Sequence, residues 1–404
     1  MKRKILFYVA LLSLISMQLA FSQVKFNGWW QSNLYVWESL NENQYWNYYQ
    51  GLQFRVGPES NSNTYLNTYF RLAYRADLAK WEERVHNVYY HQTFGKNYSF
   101  RLGRQFIYHG VINGTVDALK LSGRLGKNLR VHLLGGVEAP YNRELKIQQS
   151  DKGSVMGAYA LYRFQSRSSI DVSYVHKERN SELYWQQTGA TILGYFSEHI
   201  YYYARFDYNL LKDSYQTLRG RLTYYQNKWS LTAEYNSMKP RIFEDSFFNI
   251  FVINPYNQIR AAVDYKFTSF NLGLQLLHTV YNAADYYILF KDDKDFRVVG
   301  TIGHNRYGSF GLIYQTGYAI DNYGYFADLR YDFLSNLSVR FFNSYYNYER
   351  ASINIGQDAL SFMAGLSYKF NRLLMIDGEV QQSANNIYKN DVRGLFRVTY
   401  LFGY

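Results

Sequence analysis

Cysteine is absent from the 404 residues and proline occurs only four times. Without thiols, a disulfide framework, a thiolate metal centre and a lipoprotein cleavage site are all excluded. Past residue 22 no run approaches 18 uncharged apolar residues, so no helix of the remaining chain is apolar enough to cross a bilayer. A phosphate-cradling glycine loop is also missing, since Gly103, Gly110 and Gly114 do not match one. The eight histidines are scattered; His86 and His91, five apart, fall on opposite faces of a strand and make a poor metal pair. No metal, cofactor or catalytic group is expected from this pattern, and an enzyme would need a nucleophile beside a histidine. The four prolines, Pro58, Pro140, Pro240 and Pro255, all fall in connections, where none spoils a central strand.

Aromatic residues are abundant instead, at 20% of the chain, with 44 tyrosines. Tyrosine joins a β-compatible ring to a polar tip, which suits a bilayer interface better than a dry core. Residues 1–22 read as a secretory leader: Lys2, Arg3 and Lys4 precede an apolar run from Ile5 to about Ile15, and Ala20 and Ser22 precede a cut before Gln23. The alternative is a retained amino-terminal anchor. Cleavage removes three cations and no acid, so the formal charge of +12 becomes +9. Lys and Arg are dispersed singly with no basic cluster, so no nucleic-acid partner is expected.

From Gln23 onward, alternating segments follow one another. In 65–76, Leu66, Phe70, Leu72 and Tyr74 oppose Asn67, Arg71 and Arg75. In 259–267, Ile259, Ala261, Val263, Tyr265 and Phe267 oppose Arg260, Asp264 and Lys266. In 325–333, Ala327, Leu329, Tyr331 and Phe333 oppose Asp328, Arg330 and Asp332. A period of two puts one apolar face on a strand. Gly, Asn, Ser and Asp mark ten tight turns, near 59–61, 95–97, 126–128, 165–167, 197–198, 227–228, 268–269, 305–308, 335–336 and 371–372. Ten such turns separate eleven hairpins, which predicts about 22 strands, with 16 the lower bound if hairpins are miscounted. Longer connections fall at 38–46, 139–152, 237–256, 281–295 and 347–358. The apolar connection 237–256 either folds inward, covers a mouth, meets a partner protein or holds an extra strand.

The final residues, 394–404, alternate Phe396, Val398, Tyr400, Phe402 and Tyr404 against a mixed face. A strand ending on an aromatic terminus resembles the closing strand of Gram-negative outer-membrane β-barrels. The whole mature chain, residues 23–404, looks like one porin-like barrel of the kind found in Bacteroidetes, whose leaders often end in a Ser-Gln junction. The resemblance implies an all-β, transmembrane, antiparallel up-and-down barrel of even strand number, embedded in outer-membrane lipid. It further implies assembly by the barrel-assembly machinery through the terminal strand, and passive diffusion of small hydrophilic solutes. The sequence admits a second role, a scaffold or sheath around a secreted or surface-bound protein in the lumen or on the loops. An enzyme is the third, and would need a histidine near a nucleophile on the outer rim.

Parity assigns Arg71, Arg75, Arg101, Arg130, Arg219, Arg221, Arg260, Lys266, Asp328, Arg330, Arg340, Lys369, Arg393 and Arg397 to the lumen, with Asp264, Asp332, Asp377 and Glu379. Basic rings in a pore select anions. Alternatively, arginines and acids pair across strands and stiffen the wall. Residues 101–123 are glycine-rich and resemble a segment of porin-like barrels. They form either a constricted turn with Arg104 and Asp117 reaching the lumen, or an ordinary loop.

Overall fold

The computed structural model describes residues 24–38, 44–58, 63–165, 167–239, 255–282, 293–317, 320–350, 355–385 and 390–403. The leader at 1–22, the turn at 59–61, most of the connection 237–256 and Tyr404 lie outside the described residues.

Alternation is realised as strands throughout. The first eight are β1 (Val24–Glu38), β2 (Gln44–Pro58), β3 (Thr64–Arg75), β4 (Lys80–Phe94), β5 (Tyr98–His109), β6 (Ile112–Leu125), β7 (Leu129–Glu138) and β8 (Ser154–Gln165). Next come β9 (Ser168–Arg179), β10 (Glu182–Ser197), β11 (Ile200–Asn209), β12 (Ser214–Gln226), β13 (Trp229–Met238), β14 (Tyr256–Lys266) and β15 (Phe270–Tyr281). The last are β16 (Lys294–His304), β17 (Gly308–Gly317), β18 (Ile320–Leu334), β19 (Leu337–Arg350), β20 (Ile355–Lys369), β21 (Leu374–Ala384) and β22 (Asp391–Phe402). Of the ten tight turns expected from the sequence, the nine other than 59–61 fall between consecutive strands at one end of the molecule.

Each strand pairs antiparallel with the next, and β22 pairs back onto β1, from Gly28 against Phe402 to Trp37 against Arg393. The sheet is therefore a closed barrel of 22 strands with no free edge. Side-chain bonds cross the seam: Gln31 Nε2 donates to Thr399 Oγ1 at 3.2 Å, and Arg397 Nε donates to Asn33 Oδ1 at 2.9 Å.

Register fixes which face looks outward. Leu222, Leu231, Val263, Leu274 and Ile302 lie on one continuous outer face, and all are exposed. Toward the tight-turn end the outer rings gather into a girdle. Phe196 packs on Tyr202, Trp229 on Tyr265, Phe267 on Phe270, Tyr368 on Phe370 and Phe26 on Phe402. Toward the opposite end Tyr74 packs between Trp46 and Trp81. An apolar band between two aromatic girdles is the surface a bilayer demands of a barrel.

Candidate functional site

The interior of the barrel is not uniform. β4 and β5 pair only from Val88 against Arg104 to Phe94 against Tyr98, although both strands run on. Beyond that point the hairpin of β5 and β6 leaves the wall and leans into the barrel. Its tip, Gly110 and Val111, packs on the inner face of β8 to β11. Val111 N donates to Ser173 Oγ at 3.0 Å, and Arg205 Nη2 donates to Gly110 O at 3.4 Å. Gly110 has φ +56, which any other L-residue adopts at a cost. Opposite it, a Cβ on Gly189 would collide with Val111, so the wall needs glycine for the tip to sit flush. Beneath the tip Ile107, Ile112, Val116, Val155, Val175 and Trp185 form a dry cluster, with Val175 at 0% exposure.

The connection between β7 and β8 fills the gap the hairpin leaves. Val85 N of β4 donates to Arg143 O at 2.8 Å, where β5 would otherwise have paired. Arg104 ties the two inserts together. Its Nε and Nη2 hold both oxygens of Asp117 at 2.8 and 2.7 Å, and Nη1 and Nη2 donate to Glu144 O at 2.6 Å and Lys146 O at 2.8 Å. The pair is 4% and 7% exposed. By register Arg104 and Asp117 share a face with Leu102 and Leu119, not with Arg101 and Lys120. Residues 101–123 thus form the inward hairpin, but Arg104 and Asp117 face the insert behind it rather than open lumen.

By register, the charged residues grouped by parity lie on the face opposite the exposed apolar one, Arg104 and Asp117 excepted. Six of the arginines meet acids. Arg219 Nη2 and Arg221 Nε donate to Glu234 Oε2 at 3.0 and 2.6 Å, and Arg340 grips Asp328 at 2.9 and 2.7 Å. Arg330 reaches Asp332 at 3.3 Å, Arg393 reaches Asp391 at 2.9 Å and Arg75 reaches Asp77 at 2.7 Å. That last bond holds the Asp77 carboxyl below the usual carboxylate range. Others meet neutral groups: Arg260 donates to Gln275 Oε1 at 3.3 Å and Arg397 to Asn33. Arg71 lies over the Tyr49 ring at 4.2 Å and Arg101 over Tyr89 at 5.2 Å. Arg130 and Lys266 face inward with no ion pair among the described residues. Asp377 accepts from Ser367 Oγ at 2.5 Å and faces Arg397 across the sheet; Asp264, Glu379 and Lys369 share the inner face. Of the terminal aromatic set, Phe396, Val398, Tyr400 and Phe402 face outward beside β1.

One sequence expectation is corrected. His86 and His91 both face inward, stacked on Tyr69 and Tyr65, because a bulge in β4 shifts the register between Tyr69 and Phe70 of β3. A bulge inserts one residue and so reverses the parity beyond it. Among the described residues no cluster of three potential metal ligands forms. Sequence reasoning also missed Arg205, Asp207 and Ser173, whose role is to receive the hairpin; nothing local marks a receiving wall.

No protein-family model and no curated protein matches the chain. Among solved structures, the siderophore receptor PirA from Pseudomonas aeruginosa overlays with a TM-score of 0.59 at 9% identity, covering 94% of this chain and 80% of PirA. The translocation pore of the P pilus usher PapC gives 0.49 at 8% identity, covering 93% of this chain and 99% of that one. OccK1 (OpdK) of Pseudomonas aeruginosa gives 0.45 at 11% identity, covering 94% and 98%. At such identities the PirA overlay is a likeness of fold, and the fold it supports is the closed transmembrane-type β-barrel that the register already draws.

Proposed function

We propose that the protein is an outer-membrane channel for passive diffusion of small hydrophilic solutes, with a preference for anions. One observation carries the reading. On the side away from the hairpin, Arg340 and Asp328 point inside the closed wall, yet their side chains are 54% and 36% exposed. A wall that keeps charged side chains wet alongside an inward insert describes a narrowed passage rather than a filled core. The apolar outer face with its aromatic girdles supports residence in outer-membrane lipid. The outward Phe396, Val398, Tyr400 and Phe402 support recognition of the closing strand by the barrel-assembly machinery. Residues 23–404 would be the mature chain.

The test is single-channel recording of refolded mature protein in a planar bilayer. Stable conductance steps are expected. A folded, heat-modifiable barrel that never conducts overturns the channel reading.

A further inference from the structure

We propose that the wall from β3 to β7 carries an anion-binding track, built from pairs of like charge placed directly opposite one another. The proposal rests on the channel reading and names the part of the wall that would select solutes.

Inward-facing like charges on adjacent strands destabilise a sheet when they sit in register. This wall has three such pairs: Arg71 faces Arg84, Arg101 faces Lys120, and Arg124 faces Arg130. Elsewhere the same juxtaposition is neutralised. Arg205 faces Arg219, but Asp207 and Glu234 lie at 2.9 and 3.0 Å from them. Arg330 faces Arg340, but Asp332 and Asp328 lie at 3.3 and 2.7 Å. Along the track, among the described residues, only Arg84 has an acid, Glu82 at 3.1 Å. Among the described residues, no carboxylate lies within 4 Å of Arg71, Arg101, Lys120, Arg124 or Arg130.

Lys120 makes the case sharpest. It is 7% exposed, and its Nζ lies 2.6 Å from Nε2 of His109, whose ring stacks on His132 and Tyr159. An imidazole accepts the proton's hydrogen bond but brings no negative charge to balance a buried ammonium. Arg71 and Arg101 are backed by tyrosine rings, which fix the guanidinium plane and leave its donor edge for a planar oxyanion. The three pairs are staggered. Arg124 and Arg130 adjoin the tight turn, and Lys120 lies four residues further along β6, about 13 Å at the usual rise per residue. Arg71 and Arg84 lie deeper still toward the loop end. An anion released by one pair therefore meets the next. The chemical class this suits is a small solute bearing a carboxylate or a phosphate group.

The experiment uses the full mature barrel. Its melting temperature in detergent is measured in sodium chloride, sodium acetate and sodium phosphate at matched ionic strength. The chloride-over-potassium permeability ratio is taken from reversal potentials in a potassium chloride gradient. Acetate or phosphate is expected to raise the melting temperature of the parent, and the ratio is expected to exceed one. Lys120→Gln with Arg101→Gln should abolish the melting shift and bring the ratio toward one. Arg340→Gln with Asp328→Asn, which removes a neutral pair, should preserve both. Arg124→Gln, at the exposed turn end, repeats the test should the buried substitutions fail to give a heat-modifiable barrel. A shift in acetate alone assigns the track to carboxylates, and one in phosphate alone to phosphorylated solutes. A conducting pore with neither shift nor anion preference overturns the track and leaves the channel standing. A shift without conductance overturns the channel and leaves the anion site.

Discussion

The walls at β5–β11 and β18–β22 are made from the same alternation and reach opposite ends. At β5–β11 much of the inner face is packed: Val155, Val175 and Asn209 are almost wholly buried where the hairpin leans on the wall. At β18–β22 the inner pairs Arg330–Asp332 and Arg340–Asp328 stand partly in solvent. Charge follows a related line: acids meet Arg205, Arg219, Arg221, Arg330, Arg340 and Arg393 on β11–β22, whereas among the described residues none meets Arg71, Arg101, Lys120, Arg124 or Arg130 on β3–β7. A barrel wall sets what faces inward, but what fills the inside is decided by where one hairpin leaves the sheet. The two sides thus give one molecule a packed, rigid flank and a wet one.

Substitutions that act on one flank alone can break this contrast. The largest effect is expected from Arg104→Ala. It strands the buried Asp117 carboxylate and unties the hairpin from the insert, a loss of about 3–5 kcal/mol by analogy with other broken buried pairs. Thermal melting should fall sharply while single-channel conductance rises, and an unchanged conductance would show that the hairpin stays in place without its tie. Next is Glu234→Gln on β13, outside the hairpin's contacts. It leaves Arg219 and Arg221 uncompensated and removes charge-assisted bonds worth roughly 2–3 kcal/mol. Its conductance should change little, and its reversal potential should move toward anions. Gly189→Val, expected to cost about 1–3 kcal/mol through overpacking, crowds both the Val111 tip and the Asp207 carboxylate while adding and removing no charge. A rise in conductance with an intact strand signal by circular dichroism would separate position from electrostatics.

The smallest effect concerns the rim. Asp77 is bonded by Arg75 in the open, and its carboxyl is held below its unfolded value, so the bond's contribution is present above the ordinary carboxylate pKa and fades as pH falls through the folded one. Because both groups are in water, Asp77→Asn should leave the melting temperature within error at neutral pH, and acid titration of the variant and parent should nearly superimpose.

Strands and turns were legible because a period of two and glycine-rich or asparagine-rich turns are local signals, and the nine described turns sit where residues such as Gly95, Gly126 and Asn227 placed them. The inner parity of Arg219, Arg340 and Arg397 followed from that period alone. What escaped depends on breaks in it. The bulge at His86 brings two histidines to one face that a strict count sets apart. Arg104 and Asp117 were marked by the glycines around them, but their true environment is made by residues 143–146, which arrive from another connection. The neutralisation of Arg219 and Arg221 by Glu234 is likewise a cross-strand fact, invisible until register is known.

The seam between β1 and β22 has a consequence for the order of events during biogenesis. Gln31 and Thr399 are 368 positions apart, so zipping this last ladder closes a loop of nearly the entire polypeptide. Relative to a hairpin of about 15 residues, the entropy of that closure is greater by about 3 kcal/mol. Every other pairing can form as neighbours emerge, whereas this one must wait for the final strand. Until then two unpaired edges persist, each a template for a foreign strand. Completion of the ring is therefore the step at which a partly built wall stops being sticky and becomes a single object.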